Sequence, residues 1–342
     1  MSEVTVAARP KSQPYDLLFV IGAPVLAFTA ITLVSHPRSI TGHFLYDPLT
    51  PEWFVIFTAL LTHSHVMMVF VRSHMNPGVF RRFPFRFVAL PLLTLVAFTV
   101  SPTLVAIMTI VAIYWDEWHS QMQTFGFGRI YDSRLGNDPL HGRRLDMGMI
   151  FILGLLPHAL LLTYLPEEVR VQGLYTILGI GGDLAIEYGH YISYLRTPLI
   201  ALAVAYTLYY LHAYRKLIKA GYKISPKKLA LMGVTGTTAI LVASFYSVAD
   251  AAHFINIYHS LQYFFIVCVA ELPLLSERVR KPWMSKKAML ILTSGVVLTL
   301  VFIAGVLRET NRISWLANFW LLSSLLHFWY DGFIWSVRRK DV

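Results

Sequence analysis

Charged residues are scarce in this sequence, and their scarcity is the first constraint on what it can be. Only 14% of the 342 residues are charged, whereas 56% are hydrophobic. A soluble globular domain carries about 25% charged residues. The composition therefore excludes an ordinary soluble protein. It predicts one integral-membrane domain, residues 1–342, that is all-α and polytopic.

Cysteine is nearly absent, and a cleavable leader is not expected. Cys268 is the one cysteine, which excludes an intramolecular disulfide framework and cysteine-rich metal sites. Residues 1–14 are polar, and the first apolar run, residues 17–34, is long enough to stay in the membrane as a span. We therefore expect this run to be retained.

Long apolar runs, in contrast, recur along the whole chain. A transmembrane helix needs about 20 predominantly apolar residues, and the runs predict about ten spans. They lie near residues 16–35, 52–73, 85–100, 103–126, 146–165, 198–217, 228–249, 251–273, 287–307 and 314–336.

Positive charge is unevenly distributed between these spans. Lysine and arginine number 29 against 19 acidic residues, a net charge of +10, and the basic clusters follow every second predicted span. Positive charge marks the cytoplasmic side of a membrane protein. We therefore predict a bacterial-type inner membrane with both termini cytoplasmic. Because the charge is explained by orientation, the lipid bilayer is an expected partner and nucleic acid is not.

One segment, residues 167–196, does not fit the simple pattern. It contains Gly179, Gly181, Gly182, Asp183 and Glu187, so it is too polar and glycine-rich for an ordinary span. It is also too apolar for a free loop. Irregular backbone at membrane depth must be buried in protein or line a cavity, which predicts a re-entrant or interfacial helix here.

Histidine is the conspicuous polar residue inside the predicted spans. Ionisable residues at membrane depth are costly and indicate function, and imidazole is a common ligand of transition metals. A single membrane histidine is more often a structural hydrogen-bonding group, but histidines on several helices favour a shared metal site. The candidate metal ligands are His63, His65, His119, His253, His259 and His327.

The spacing of His63 and His65 leaves one question open. Side chains two residues apart are separated by about 200° around a helix axis. On a regular helix, His63 and His65 therefore cannot both point at one metal ion. Either one binds the metal while the other contacts a neighbour, or the helix is locally distorted.

Polar side chains accompany the histidines at helical spacing. Asp116, His119 and Gln123 share a helix face, and Asp331 follows His327 by one turn. A carboxylate so placed can be a second ligand or can accept the imidazole N–H of a ligating histidine. Asp116, Gln123 and Asp331 are therefore the candidate catalytic or supporting residues.

Histidine and carboxylate ligands with open positions are typical of non-haem iron, mononuclear or dinuclear, which activates dioxygen. Dioxygen and lipophilic molecules both dissolve in the bilayer. The sequence thus favours an oxygenase or oxidoreductase acting on an isoprenoid, carotenoid or acyl lipid, with an electron-donor protein as an expected partner.

Other readings stay open. A haem needs one or two axial histidines in an apolar slot, and methionines near the histidines leave copper as an alternative. A haem- or quinone-linked electron-transfer subunit and a proton-coupled transporter are the alternative functions. The His-Glu-x-x-His helix of zinc hydrolases is absent from the sequence.

The arrangement of mid-membrane histidines on separate helices resembles the bacterial Brp/Blh-type β-carotene dioxygenases. This resemblance implies an iron held by four histidines, and the matching positions by placement are His63, His119, His259 and His327. Membrane fatty-acid desaturases and hydroxylases are a more distant comparison. Their histidine boxes are missing, because neither His63-Ser64-His65 nor Trp118-His119 matches them.

Overall fold

The computed structural model describes residues 15–37, 45, 47–178, 180–310 and 314–335, apart from the side chains of 176–178 and 314–315. Within these residues all regular structure is helical, which confirms that the fold is all-α. The predictions that concern Gly179 and the two chain ends fall outside the described residues.

Fifteen α-helices are described. They are α1 Ala23–Val34, α2 Glu52–Ser73, α3 Pro77–Phe80, α4 Pro84–Phe87, α5 Ala89–Val100, α6 Pro102–Ser133, α7 Arg143–Ile150, α8 Leu156–Tyr164, α9 Glu167–Leu178, α10 Gly182–Ile192, α11 Arg196–Lys219, α12 Pro226–Phe245, α13 Val248–Val279, α14 Lys286–Glu309 and α15 Ser314–Ile334.

Six of the described helical stretches are long and apolar enough to cross a membrane, which indicates membrane association. A seventh is counted if one bent pair forms a single span. The six are Glu52–Ser73, Arg143–Tyr164, Gly182–Lys219, Pro226–Phe245, Val248–Val279 and Lys286–Glu309. The predicted number of about ten stays a prediction.

The bent pair occupies the region where the sequence predicts two separate spans. Pro84–Val100 and Pro102–Ser133 meet at an angle of 119°. Pro102 has no backbone N–H and cannot continue the preceding helix. The Ser101 hydroxyl accepts from the Leu104 N–H at 3.2 Å, which caps the new helix. Proline and serine together therefore explain the break.

Residues 167–196 form two short helices, α9 and α10, that pack against each other. Arg170 Nε donates to the Gly189 carbonyl at 2.6 Å, and a Cβ at Gly189 would lie 2.6 Å from Val171 Cγ2. Glycine is thus required for the close contact. The re-entrant or interfacial placement of this pair stays a prediction.

The chain divides into two compact units, and three helices run continuously through the division. Of the described residues, those within 15–19, 56–116 and 260–335 form unit 1, and those within 20–55 and 117–259 form unit 2. Three of the four dividing points fall inside α2, α6 and α13, and the fourth lies between residues 19 and 20. The sequence-based expectation of one domain stays a prediction.

Each unit has its own apolar core. In unit 1, side chains of α2, α14, α15 and the second half of α13 pack together, with Val267 and Tyr330 fully buried. In unit 2, Phe125 of α6, Ile150 of α7 and Met232 of α12 belong to one buried cluster. These cores hold the helices that carry the candidate site residues.

Candidate functional site

In unit 1 the structure brings His65 and His327 together. Both are fully buried, and their ring centroids lie 4.9 Å apart at an interplanar angle of 81°. A nitrogen of each ring lies within 4.8 Å of the other. Metal–imidazole bonds are about 2.1 Å long, so small ring rotations suffice for both to reach one ion.

Two neighbours fix this pair. Ser260 Oγ and His65 Nδ1 lie 2.8 Å apart, which sets the orientation of the ring and leaves Nε2 as its other donor atom. The ring of Tyr263 lies 4.6 Å from that of His327 and 5.9 Å from that of His65. Serine and tyrosine on α13 therefore orient the imidazoles of α2 and α15.

Asp331 is the carboxylate of this region. One of its oxygens accepts from the Tyr263 hydroxyl at 2.9 Å and from Trp335 Nε1 at 3.1 Å. Its other oxygen lies 3.9 Å from His327 Nδ1, which is longer than a hydrogen bond. An oxygen of Asp331 and a nitrogen of His327 are nevertheless close enough to serve one metal ion.

A buried ion pair lies beyond Asp331. Arg72 bonds to Glu271, both being nearly inaccessible, and its guanidinium stacks 3.8 Å above the Trp335 ring. The arginine also donates to the Ile334 carbonyl at 2.9 Å. These contacts fix Trp335, which in turn holds Asp331.

His63 lies on a different side of α2 from His65. Its Nδ1 is 3.3 Å from Glu309 Oε2, and α2 is a regular α-helix here. The two side chains therefore point in different directions, about 200° apart around the helix axis, and α2 needs no local distortion. The resemblance selects His63 as a ligand, whereas the geometry favours His65. Asp116, also in unit 1, interacts electrostatically with Arg308.

In unit 2 the structure brings His119 and His259 together. Their ring centroids are 5.0 Å apart at 82°, and both side chains are buried. Gln123 Nε2 donates to the His259 carbonyl at 3.0 Å, so this predicted catalytic residue contacts the backbone of α13. His253, six residues earlier in α13, packs against the Phe54 ring at 5.8 Å.

The imidazole nitrogens of the His65–His327 pair, and separately those of the His119–His259 pair, suit a transition metal. Imidazole nitrogens and a carboxylate are the ligands that iron, copper and zinc accept, and the buried groups can hold a metal ion. The hypothesis that all four histidines bind one ion stays a prediction.

Unit 2 also contains a group of charged residues that sequence reasoning missed as a site. The sequence places Arg129 and Lys228 among the basic connecting clusters, but both lie inside helices and are buried. Lys228 contacts Asp132 and Asp146, and Arg129 contacts Asp146 at 2.6 Å. We call these four residues the ionic network.

Tyrosines complete the ionic network. Tyr214 donates to Asp146 and accepts from Lys228 at 2.8 Å, and Tyr222 donates to Asp132 at 2.6 Å. Burial, and then the bond to Asp132, raise the pKa of Tyr222 well above its ordinary value. The available sequence signal was the acids Asp132 and Asp146 within an otherwise basic stretch.

Comparison with known proteins adds no relative: no family model matches the chain, and no curated protein or solved structure matches it. The geometry is therefore the basis for assigning a function.

Proposed function

We propose that this protein is a membrane-embedded oxygenase that holds non-haem iron through buried histidines and oxidises a lipophilic substrate with dioxygen. The observation that carries the proposal is the pairing of His65 with His327, and of His119 with His259, at ring separations of 4.9 and 5.0 Å. Asp331 adds a carboxylate beside His327.

Iron bound by these groups would supply the binding and activation of dioxygen. The side chains have separate tasks. Ser260 fixes the ring of His65, Tyr263 and Trp335 hold Asp331, and Gln123 secures the backbone at His259. The apolar surroundings exclude water and admit an isoprenoid, carotenoid or acyl chain.

The proposal includes location and partners. The basic clusters of the sequence favour an inner membrane with both termini cytoplasmic. If the reaction with dioxygen needs electrons that the substrate does not supply, an electron-donor protein would provide them. Buried aromatic side chains next to the histidines, such as Tyr263 and Tyr258, would contact the substrate.

Metal analysis of the purified protein tests the proposal. We expect iron to exceed copper and zinc, with no Soret band, and the iron-to-protein ratio gives the number of ions held. Alanine at His65, His119, His259 or His327 should lower iron content by at least about tenfold, because each removes a ligand.

The matched control is His212→Ala, since His212 is exposed on α11; it should retain full iron. Full iron in His119→Ala contradicts the site. A Soret band would indicate haem. Copper in excess over iron would make copper the bound metal. Absence of any metal would favour the proton-coupled transporter. An oxidised lipid in extracts of expressing cells, missing with His327→Ala, identifies the substrate.

A further inference from the structure

A cavity of about 520 Å³ lies within unit 2, between α8, α11 and α12. Small-molecule sites in proteins have volumes of roughly 300–1,000 Å³, so this cavity is large enough for a ligand. All three helices belong to stretches that can cross a membrane. The medium around the cavity is therefore expected to be lipid.

The cavity has a buried floor and an open rim. Leu161 and Ala243 lie on the floor and are 2% and 8% exposed, whereas the rim residues Val204, Leu208 and Ile240 are all more than half exposed. An apolar rim on membrane-spanning helices opens towards acyl chains. A ligand would enter sideways, from within the bilayer.

Small residues create this space. Ala203, Ala243 and Ser244 line the cavity, where larger side chains would fill it. A Cβ at Gly236 would lie 2.9 Å from Leu153 Cδ2, so glycine lets α12 approach the segment that carries Leu153. In lipid, association depends on packing rather than on the hydrophobic effect, and an apolar space lined by small residues can be packed by a hydrocarbon chain.

One wall of the cavity is formed by an irregular helical turn. Residues Phe151–Leu155 form a π-helical turn, a feature frequent at functional sites, and its Leu153 lines the cavity. Gly154 in the same turn touches Gln121: a Cβ there would lie 1.9 Å from Gln121 Oε1. Gln121 donates to the Tyr258 hydroxyl at 3.1 Å, and Tyr258 precedes His259. One helical turn thus separates the cavity from residues adjoining the His119–His259 pair.

We propose that this cavity binds a single linear hydrocarbon chain, that of the lipophilic substrate, which enters from the bilayer. The assignment to a substrate rests on the proposed oxygenase function. The chain-binding property itself needs no metal, because none of the lining residues is a candidate ligand.

Photocrosslinking of the full-length protein in nanodiscs tests the proposal. Two probes are used: a diazirine-bearing long-chain fatty acid and a diazirine-bearing linear isoprenoid alcohol. We expect crosslinks on residues 152–164 and 203–208 that excess unlabelled chain displaces. The probe that saturates shows which class of chain is bound.

Matched variants make the result decisive. Ala203→Phe fills part of the cavity and should lower this labelling by about tenfold. The reason is that the bound chain would lose the burial of roughly two methylene groups, which weakens its binding. Ala205→Phe is the control, because Ala205 lies on the same helix, is exposed and does not line the cavity. Ser244→Phe repeats the test from α12 if Ala203→Phe fails to fold.

Labelling spread evenly over exposed apolar residues such as Leu202, and unchanged by Ala203→Phe and Ser244→Phe, would overturn the proposal and indicate ordinary surrounding lipid. Iron content separates this outcome from failure of the oxygenase. Saturable labelling in protein that binds no iron supports the chain site while rejecting the oxygenase. Iron-loaded protein without saturable labelling rejects the chain site alone.

Discussion

The ionic network of unit 2 and the His65–His327 pair of unit 1 are both buried polar clusters, yet they differ in charge. The network contains two cations and two anions, which cancel, and tyrosines occupy further positions on its acids. In such a set each buried charge has a partner of opposite sign, so removing one partner leaves a buried charge uncompensated. The histidine pair consists of two imidazole rings next to one carboxylate, and such a set suits a cation brought from outside.

The difference shows how a structural cluster of buried polar side chains can be distinguished from a metal-binding one. Burial alone does not distinguish structure from function, because Lys228 and His327 are equally inaccessible. The kinds of side chain in the cluster distinguish the two. A balanced set of charges is complete, whereas imidazoles with a carboxylate can bind a metal.

The largest effect is expected in the ionic network. Lys228→Met leaves two buried carboxylates with one cation fewer, which should destabilise the protein by about 3–5 kcal/mol. Thermal unfolding in detergent measures it. Lys219→Met is the control, because Lys219 is exposed in the last turn of α11; a change within about 0.5 kcal/mol is expected.

Charge balance can be tested further by removing both partners. Asp132→Asn with Lys228→Met should recover part of the lost stability, because the double variant leaves no excess charge at that contact. If Lys228→Met unfolds at the temperature of the unaltered protein, the network is not a structural element and the comparison fails.

A smaller effect, of a different kind, is expected at Asp331. Asp331→Asn should lower iron affinity by about 10–100-fold while the unfolding temperature changes little, since the amide oxygen still accepts from Tyr263 or Trp335. Iron titration and thermal unfolding are measured together. Glu277→Gln, an exposed acid on α13, should change neither. Loss of stability with full iron affinity would make Asp331 a structural residue like Asp132.

The smallest effect is expected at Ser260. Ser260→Ala removes one hydrogen bond to His65, worth about 1 kcal/mol, and should weaken iron binding several-fold by loosening the ring. Ser260→Thr keeps the hydroxyl and should restore affinity. Equal affinity in the alanine and threonine variants would show that the serine does not position His65.

Much of the fold was predictable because hydropathy depends on local sequence. The limits of α2 match the predicted span 52–73, and α14 contains the predicted span 287–307. The bend at Pro102 was harder to predict from the sequence. Both arms of the bent pair are apolar, and only the angle between them distinguishes one span from two. The two short helices in 167–196 likewise depend on the contact of Arg170 with Gly189.

The candidate site divides in the same way. His119, His259, His327 and Asp331 stand out in the sequence because ionisable side chains are costly at membrane depth. The choice between His63 and His65 did not follow from spacing, because it depends on which helix faces each side of α2. Ser260 and Tyr263 are unremarkable in the sequence and become important only through their distances to the histidines.

The sequence by itself determined that this protein is helical, rich in membrane-compatible segments and supplied with histidines inside its apolar stretches, because composition and local periodicity encode these properties. Only the tertiary structure decided which histidines meet, and that Arg129 and Lys228 are buried partners of Asp132 and Asp146. The physical reason is that short-range electrostatics and coordination depend on distances of a few ångströms between helices far apart in the chain.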